Sequence, residues 1–230
     1  MGKVSFLAAQ VPAAPTYNWS FLDPTIGMLD IGFVSTDAPG PGPASTGLQN
    51  VATSVLPRPI FQPTLGQIVR GWEPTLGFGE FIYLAVPAST AVPLGTVVSW
   101  EFGPSGTQYS IVAMPVIATA KNSGAPAAVC IASTVANSGA GITSNASAVQ
   151  YAWFQLGGAT QVLKTAIQVP PVATAAGAGV YLSTTAGRIK IISSTGGQIL
   201  GARLGNQTTV TSTSSCVLVY LNGRPAVEGA

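Results

Sequence analysis

The chain has 230 residues, of which nine are Lys or Arg, seven are Asp or Glu and none is His; 7% is charged, against roughly 25% in an ordinary soluble domain. Apolar residues make up 47% of it, which excludes a wholly disordered chain, and no unbroken run of about 18 apolar residues exists to span a membrane as a helix. The scattered basic residues and net charge of +2 leave no electrostatic footprint for nucleic acid, and the missing histidine removes the commonest general base and transition-metal ligand.

The N-terminal stretch MGKVSFLAAQVPAAP has an apolar segment cut short by Gln10 and Pro12, so no export signal is expected. Phe6 stands where a myristoylation motif requires Ser or Thr. Ten prolines lie between Pro12 and Pro74. Each fixes its own φ, removes a donor and pushes its predecessor into extended conformations. Residues 1–78 therefore read as a long extended arm, with APGPGPAST at 38–46 as its stiffest part. The arm also carries Phe6, Tyr17, Trp19, Phe21, Leu22, Ile26, Phe33, Phe61 and Trp72. Such anchors need burial against the chain's own domain or a partner.

From Gly79 the texture changes to short runs rich in Val, Ile, Tyr, Phe, Trp and Thr, punctuated by Gly, Pro, Ser and Asn. The expected strands are 80–86, 95–102, 109–117, 127–133, 150–156, 160–164, 179–183, 188–192, 198–204 and 215–221. Helix should be scarce, since no window keeps an apolar stripe at helical spacing. Many short strands at near-regular spacing predict an all-β fold, a β-barrel or sandwich of jelly-roll or tulip-like type, over 79–222, with a tail at 223–230. RIKII alternates, Ile189 and Ile191 facing in against Arg188 and Lys190. YAWFQL does not: Tyr151 and Trp153 face one way, Phe154 and Leu156 the other. A strand apolar on both faces is central in its fold or faces a neighbouring subunit, so Tyr151, Trp153 and Phe154 are core or oligomer-interface residues. The strand-turn-strand runs beginning at Gly79 and Gly179 echo each other and read as two ordinary hairpins.

Chemistry finds little purchase. Cys130 and Cys216 sit in apolar runs and read as buried, reduced thiols. Asp23, Asp30 and Asp37 are too sparse for a cation loop, and Glu73, Glu80 and Glu101 lack the surroundings of a tuned acid–base pair. Nucleophile-elbow, phosphate-loop and dinucleotide motifs are absent from the sequence. No catalytic residue, metal or cofactor is expected. Trp72, Trp100, Tyr151 and Trp153 could stack sugars, although packing is the commoner use of such side chains.

GEFIYLAVPASTAVPLGTVVSWE, YAWFQLGGATQVLKTA, GVYLSTTAGRIK and GGQILGARL together resemble head decoration (cement) proteins of tailed bacteriophages and related virion surface proteins. The matching features are an aromatic-Leu strand before a Gly-Thr-Val-Val hairpin, then Tyr151, Trp153, Phe154, Gln155 and Gly157, and a closing strand with Ile199 and Gly201. The resemblance covers residues 79–205. It implies a structural protein without enzymatic activity, assembled in the host cytoplasm and bound to the outer capsid surface of the virion. There it would clamp neighbouring major capsid subunits as a homo-oligomer, a trimer ahead of a dimer, with no nucleic-acid or membrane partner. On that reading Tyr17, Trp19, Phe21, Leu22, Ile26, Phe61 and Trp72 of the arm contact the capsid. A head-fibre or tail component and a carbohydrate-binding or adhesive module are the alternatives.

Overall fold

The computed structural model describes residues 20–21, 34–35, 65–73, 76–102, 109–132, 141–165, 176–193, 195–205 and 216–229. Among these the chain is all-β. Two short strands, β1 (Ser20–Phe21) and β2 (Val34–Ser35), precede β3 (Ile68–Glu73), β4 (Gly77–Val86), β5 (Val97–Phe102) and β6 (Tyr109–Ala113). One helical turn, α1 (Ile117–Ala120), leads to β7 (Ala127–Cys130) and β8 (Gln150–Leu163). The chain then forms β9 (Gly179–Leu182), β10 (Ile189–Lys190), β11 (Gln198–Leu204) and β12 (Cys216–Val227). All twelve strands join one sheet in the order β1-β3-β4-β6-β5-β7-β8-β12-β11-β9-β10; β2 pairs with β8, and β4 pairs with β8 as well. The pairings from β4 through β6, β5, β7 and β8 thus return to their start.

Three apolar clusters follow from the period-two alternation of these strands. One cluster gathers Ile82, Leu84, Val86, Val98, Ile111, Ala128, Cys130, Phe154 and Leu156 within the circuit of five strands. The opposite faces of β5 and β7 give Val97, Ala127 and Val129 to a second cluster, which β8, β9, β11 and β12 complete with Val162, Val180, Ile199 and Val219. The third lies on the other side of β4 and β8 and holds Val69, Phe81, Tyr83, Ala85, Ile131, Tyr151 and Trp153. With β4, β5, β7 and β8 apolar on both faces, a sheet with so few charges keeps its core inside one chain.

The long strand β8 connects these clusters by changing partner midway. Expected as two strands, it runs as one of 14 residues. Its first half pairs with β4, Tyr83 opposite Trp153 and Ile82 opposite Phe154, and its second half pairs with β12, Val219 opposite Thr160. Between them Leu156 is an extra residue, a bulge that shifts the register between Glu80 and Phe81. The buried Gln155 pins the bend, its Nε2 donating to the carbonyls of Gly157 and Ala159, each at 2.9 Å.

Several expectations shift at their edges. The strand expected over 109–117 stops at Ala113, and Pro115, which has no N–H for a ladder, precedes the helical turn instead. The boundary expected at 78 falls inside β4, and β3 within the supposed arm pairs with it over six positions, from Ile68 opposite Ile82 to Glu73 opposite Gly77. The tail expected from 223 is strand: Ala226 and Val227 pair with Leu200 and Ile199 after a turn in which Gly223 and Arg224 both have positive φ. Of the two echoing runs, the later forms a hairpin, Leu182 opposite Ile189, whereas β4 and β5 are separated by β6.

Both cysteines are buried and unbridged. Cys130 Sγ lies 3.5 Å from the carbonyl of Val92 and 3.6 Å from that of Ala132. Burial pushes this thiol up from its ordinary 9.0 to about 12. A thiol ionises more readily unfolded than folded under these conditions, so the stability carried by the neutral form is complete below pH 9 and is lost as pH rises toward about 12. The slope reaches at most about 1.4 kcal/mol per pH unit for one proton. The Tyr151 hydroxyl, also raised by burial, acts in the same direction. Lys164 acts oppositely: burial lowers its amine, partly offset by Cys216, so its penalty relaxes as pH climbs. Neither thiol should react with iodoacetamide until denaturant is added, and the urea midpoint should fall between pH 9 and 11. Rapid native labelling, or a flat midpoint across that range, would contradict this account.

Candidate interaction surfaces

The residues expected in the core or an oligomer interface are enclosed by their own chain. Phe154 is fully buried, Trp153 is 1% exposed and Tyr151 6%. The Trp153 ring meets Tyr83 at 4.9 Å between centroids, and Tyr83 stacks on Tyr151 at 6.4 Å. The second apolar face of YAWFQL is therefore buried within its own chain, in the cluster that also holds Val69, Phe81, Tyr83 and Ile131. Trp100 packs, partly buried, against the cluster inside the five-strand circuit.

Of the arm residues expected to meet a partner, Tyr17, Trp19, Leu22, Ile26 and Phe61 lie outside the described residues, as do Asp23, Asp30 and Asp37. Phe21 is in β1, where its backbone pairs with Gly71. The arm thus meets its own domain twice, at β3 through β1 and at β8 through β2, where Val34 lies opposite Ala152. Trp72 is on β3 and 41% exposed.

Around Trp72 lies a partly apolar surface formed by β3 and β4 together. Ile68, Arg70 and Trp72 alternate along β3 and stand opposite Ile82, Glu80 and Phe78 of β4. Ile68 is 45% exposed and Phe78 67%. Between these apolar groups Arg70 Nε and Nη2 each approach Glu80 Oε1 at 3.1 Å. An exposed pair of this kind contributes little to stability, but it turns Glu80 Oε1 toward the guanidinium. Below it opens a cleft of about 550 Å³, lined by Arg70, Phe78, Glu80, Leu221, Asn222 and glycines 79, 157, 158 and 223. The run IVRGWE carried the necessary alternation; the flanking Pro63 and Pro74 led it to be read as arm.

Among the described residues no three His, Cys, Asp or Glu side chains gather as a metal site. No helix there is long and apolar enough to cross a membrane. Comparison of the chain with protein-family models and with curated proteins finds no match to either.

Proposed function

We propose that the protein is a structural subunit of a tailed-phage virion, a decoration protein that binds the outer face of the capsid and clamps neighbouring major capsid subunits. The observation that carries this reading is an all-β chain with only 7% charged residues that still leaves Ile68, Trp72, Phe78, Ile192, Leu200 and Tyr220 exposed. A free monomer ordinarily wets its surface with charge, so uncharged, partly apolar surface belongs against other protein. The closed circuit of pairings around β4, β6, β5, β7 and β8 we read as a small barrel, with the β8–β12–β11–β9 strands packed on its outside. A rigid body of this kind suits a clamp, because it transmits load between the subunits it touches. Closed rotational symmetry is the default for self-association, and a trimer fits local three-fold positions.

Deletion of residues 1–60 tests the arm's part in attachment. The deletion removes β1 and β2, which pair with β3 and β8 over only two positions each, so the truncated chain should stay soluble with a cooperative melt. Its binding to expanded heads in a cosedimentation assay should fall sharply. Undiminished binding would reduce the arm to a tether, and electron microscopy of native particles without this protein on the head exterior would defeat the reading as a whole.

A further inference from the structure

We propose that the cleft between the β3–β4 hairpin and the junction of β8 with β12 binds a neutral saccharide, one pyranose ring stacking on Phe78 with its hydroxyls held by Glu80, Arg70 and Asn222. The proposal goes beyond capsid attachment and does not depend on it. Its volume of about 550 Å³ falls in the ordinary range for small-ligand sites. Its floor includes glycines 79, 157, 158 and 223: a β-carbon added at Gly223 would find only Glu80 Oε2 within 4 Å, at 3.8 Å, whereas Gly157 packs against the Glu80 side chain. Glu80 Oε2 therefore faces the open side of Gly223. Because Arg70 engages Oε1 twice, Oε2 is left to accept from a ligand, while the guanidinium keeps further N–H groups to donate.

The composition of the walls selects the ligand class. Phe78 is the most exposed large apolar side chain among the described residues, and Trp72 stands directly opposite it across the hairpin. An aromatic face beside a donor–acceptor pair matches a sugar ring, which has apolar C–H faces and an edge of hydroxyls. The Arg70–Glu80 pair has no net charge, so it offers a phosphate, a sugar acid or an amine no net electrostatic attraction. An extended peptide would need an open strand edge, yet at Gly71 and Trp72 strand β3 is paired with β1 on one side and β4 on the other.

Saturation-transfer NMR on the full chain, with methyl glucoside, methyl galactoside and N-acetylglucosamine at about 10 mM and glucuronate as the acidic comparison, tests this, since a small open site binds near 1 mM. At least one of the three should receive saturation from the wild-type protein. Phe78→Ala and Glu80→Gln should each weaken binding about tenfold or more, the size of loss that a stacked ring or a charged acceptor explains. Ile192→Ser, on a distant exposed position, should change nothing. Trp72→Ala substitutes for either variant if its circular-dichroism melt shows misfolding. Absence of transfer from all three sugars, binding untouched by both cleft variants, or preference for an acidic sugar would overturn the proposal. So would self-association or capsid binding that depends on Phe78 while no sugar binds, which would make the cleft a protein contact.

Discussion

Replacing Trp153 by alanine is expected to destabilise the fold by about 3–5 kcal/mol, the range for emptying a large buried aromatic site. The side chain is 1% exposed and forms the centre of the cluster on the far side of β4 and β8, against Phe81, Tyr83 and Tyr151. Its neighbours come from two strands locked in register, so the cavity cannot close without shifting the β4–β8 ladder. Domains of this size are stable by only about 5–15 kcal/mol, so the loss is a large fraction of the total. Because the ring is enclosed within one chain, the loss should be the same at every protein concentration. An interface residue would behave differently, since dissociation couples stability to concentration. Urea denaturation with light scattering across a hundredfold dilution series separates the two. A variant that melts normally but loses its oligomeric state would move Trp153 from the core to an interface.

Strands were legible where β-type runs are set off by turn residues. QILGARL is a strand over the residues expected, although its burial breaks period two at the irregularity between Leu200 and Ala202. RIKII places Ile189 and Ile191 inside, as its alternation predicts, although only Ile189–Lys190 of the expected 188–192 is strand. Local pattern fails where a partner decides the structure. Nothing in YAWFQLGGATQVL marks it as one strand, because the two glycines that resemble a turn are ladder residues just past the Leu156 bulge, paired with β4, and Gly158 with β12 as well. The same limit hid β3, whose Val69 is buried only because β4 lies beside it, and the continuation of β12 past Pro225, which depends on Ile199 and Leu200. The cleft combines both failures: its walls come from β3, β4, β8 and β12, far apart in the chain, and its floor is glycine, which carries no side chain to advertise a site.

Gly158→Ala should be strongly damaging for so small a substitution. Its φ is +90°, in the left-handed region, where a β-carbon costs about 1–2 kcal/mol. That carbon would also overlap the Phe78 carbonyl oxygen and stand 3.0 Å from the Gly79 Cα. Both are backbone atoms on the neighbouring strand and cannot rotate aside, so β4 and β8 must part where they are aligned. Forced overpacking of this kind adds about 1–3 kcal/mol, and the ladder it disturbs sets which faces of Phe81, Ile82, Trp153 and Phe154 reach which cluster. Gly177→Ala is the matched control. Gly177 has nearly the same φ, +87°, but a β-carbon there meets nothing within 4 Å, so only the conformational cost applies. Denaturation of the two variants side by side should therefore show Gly158→Ala losing at least about twice as much stability as Gly177→Ala. Equal losses would mean that the strands yield at the bulge without cost, and that close backbone approach at Gly158 does not hold β4 and β8 in register.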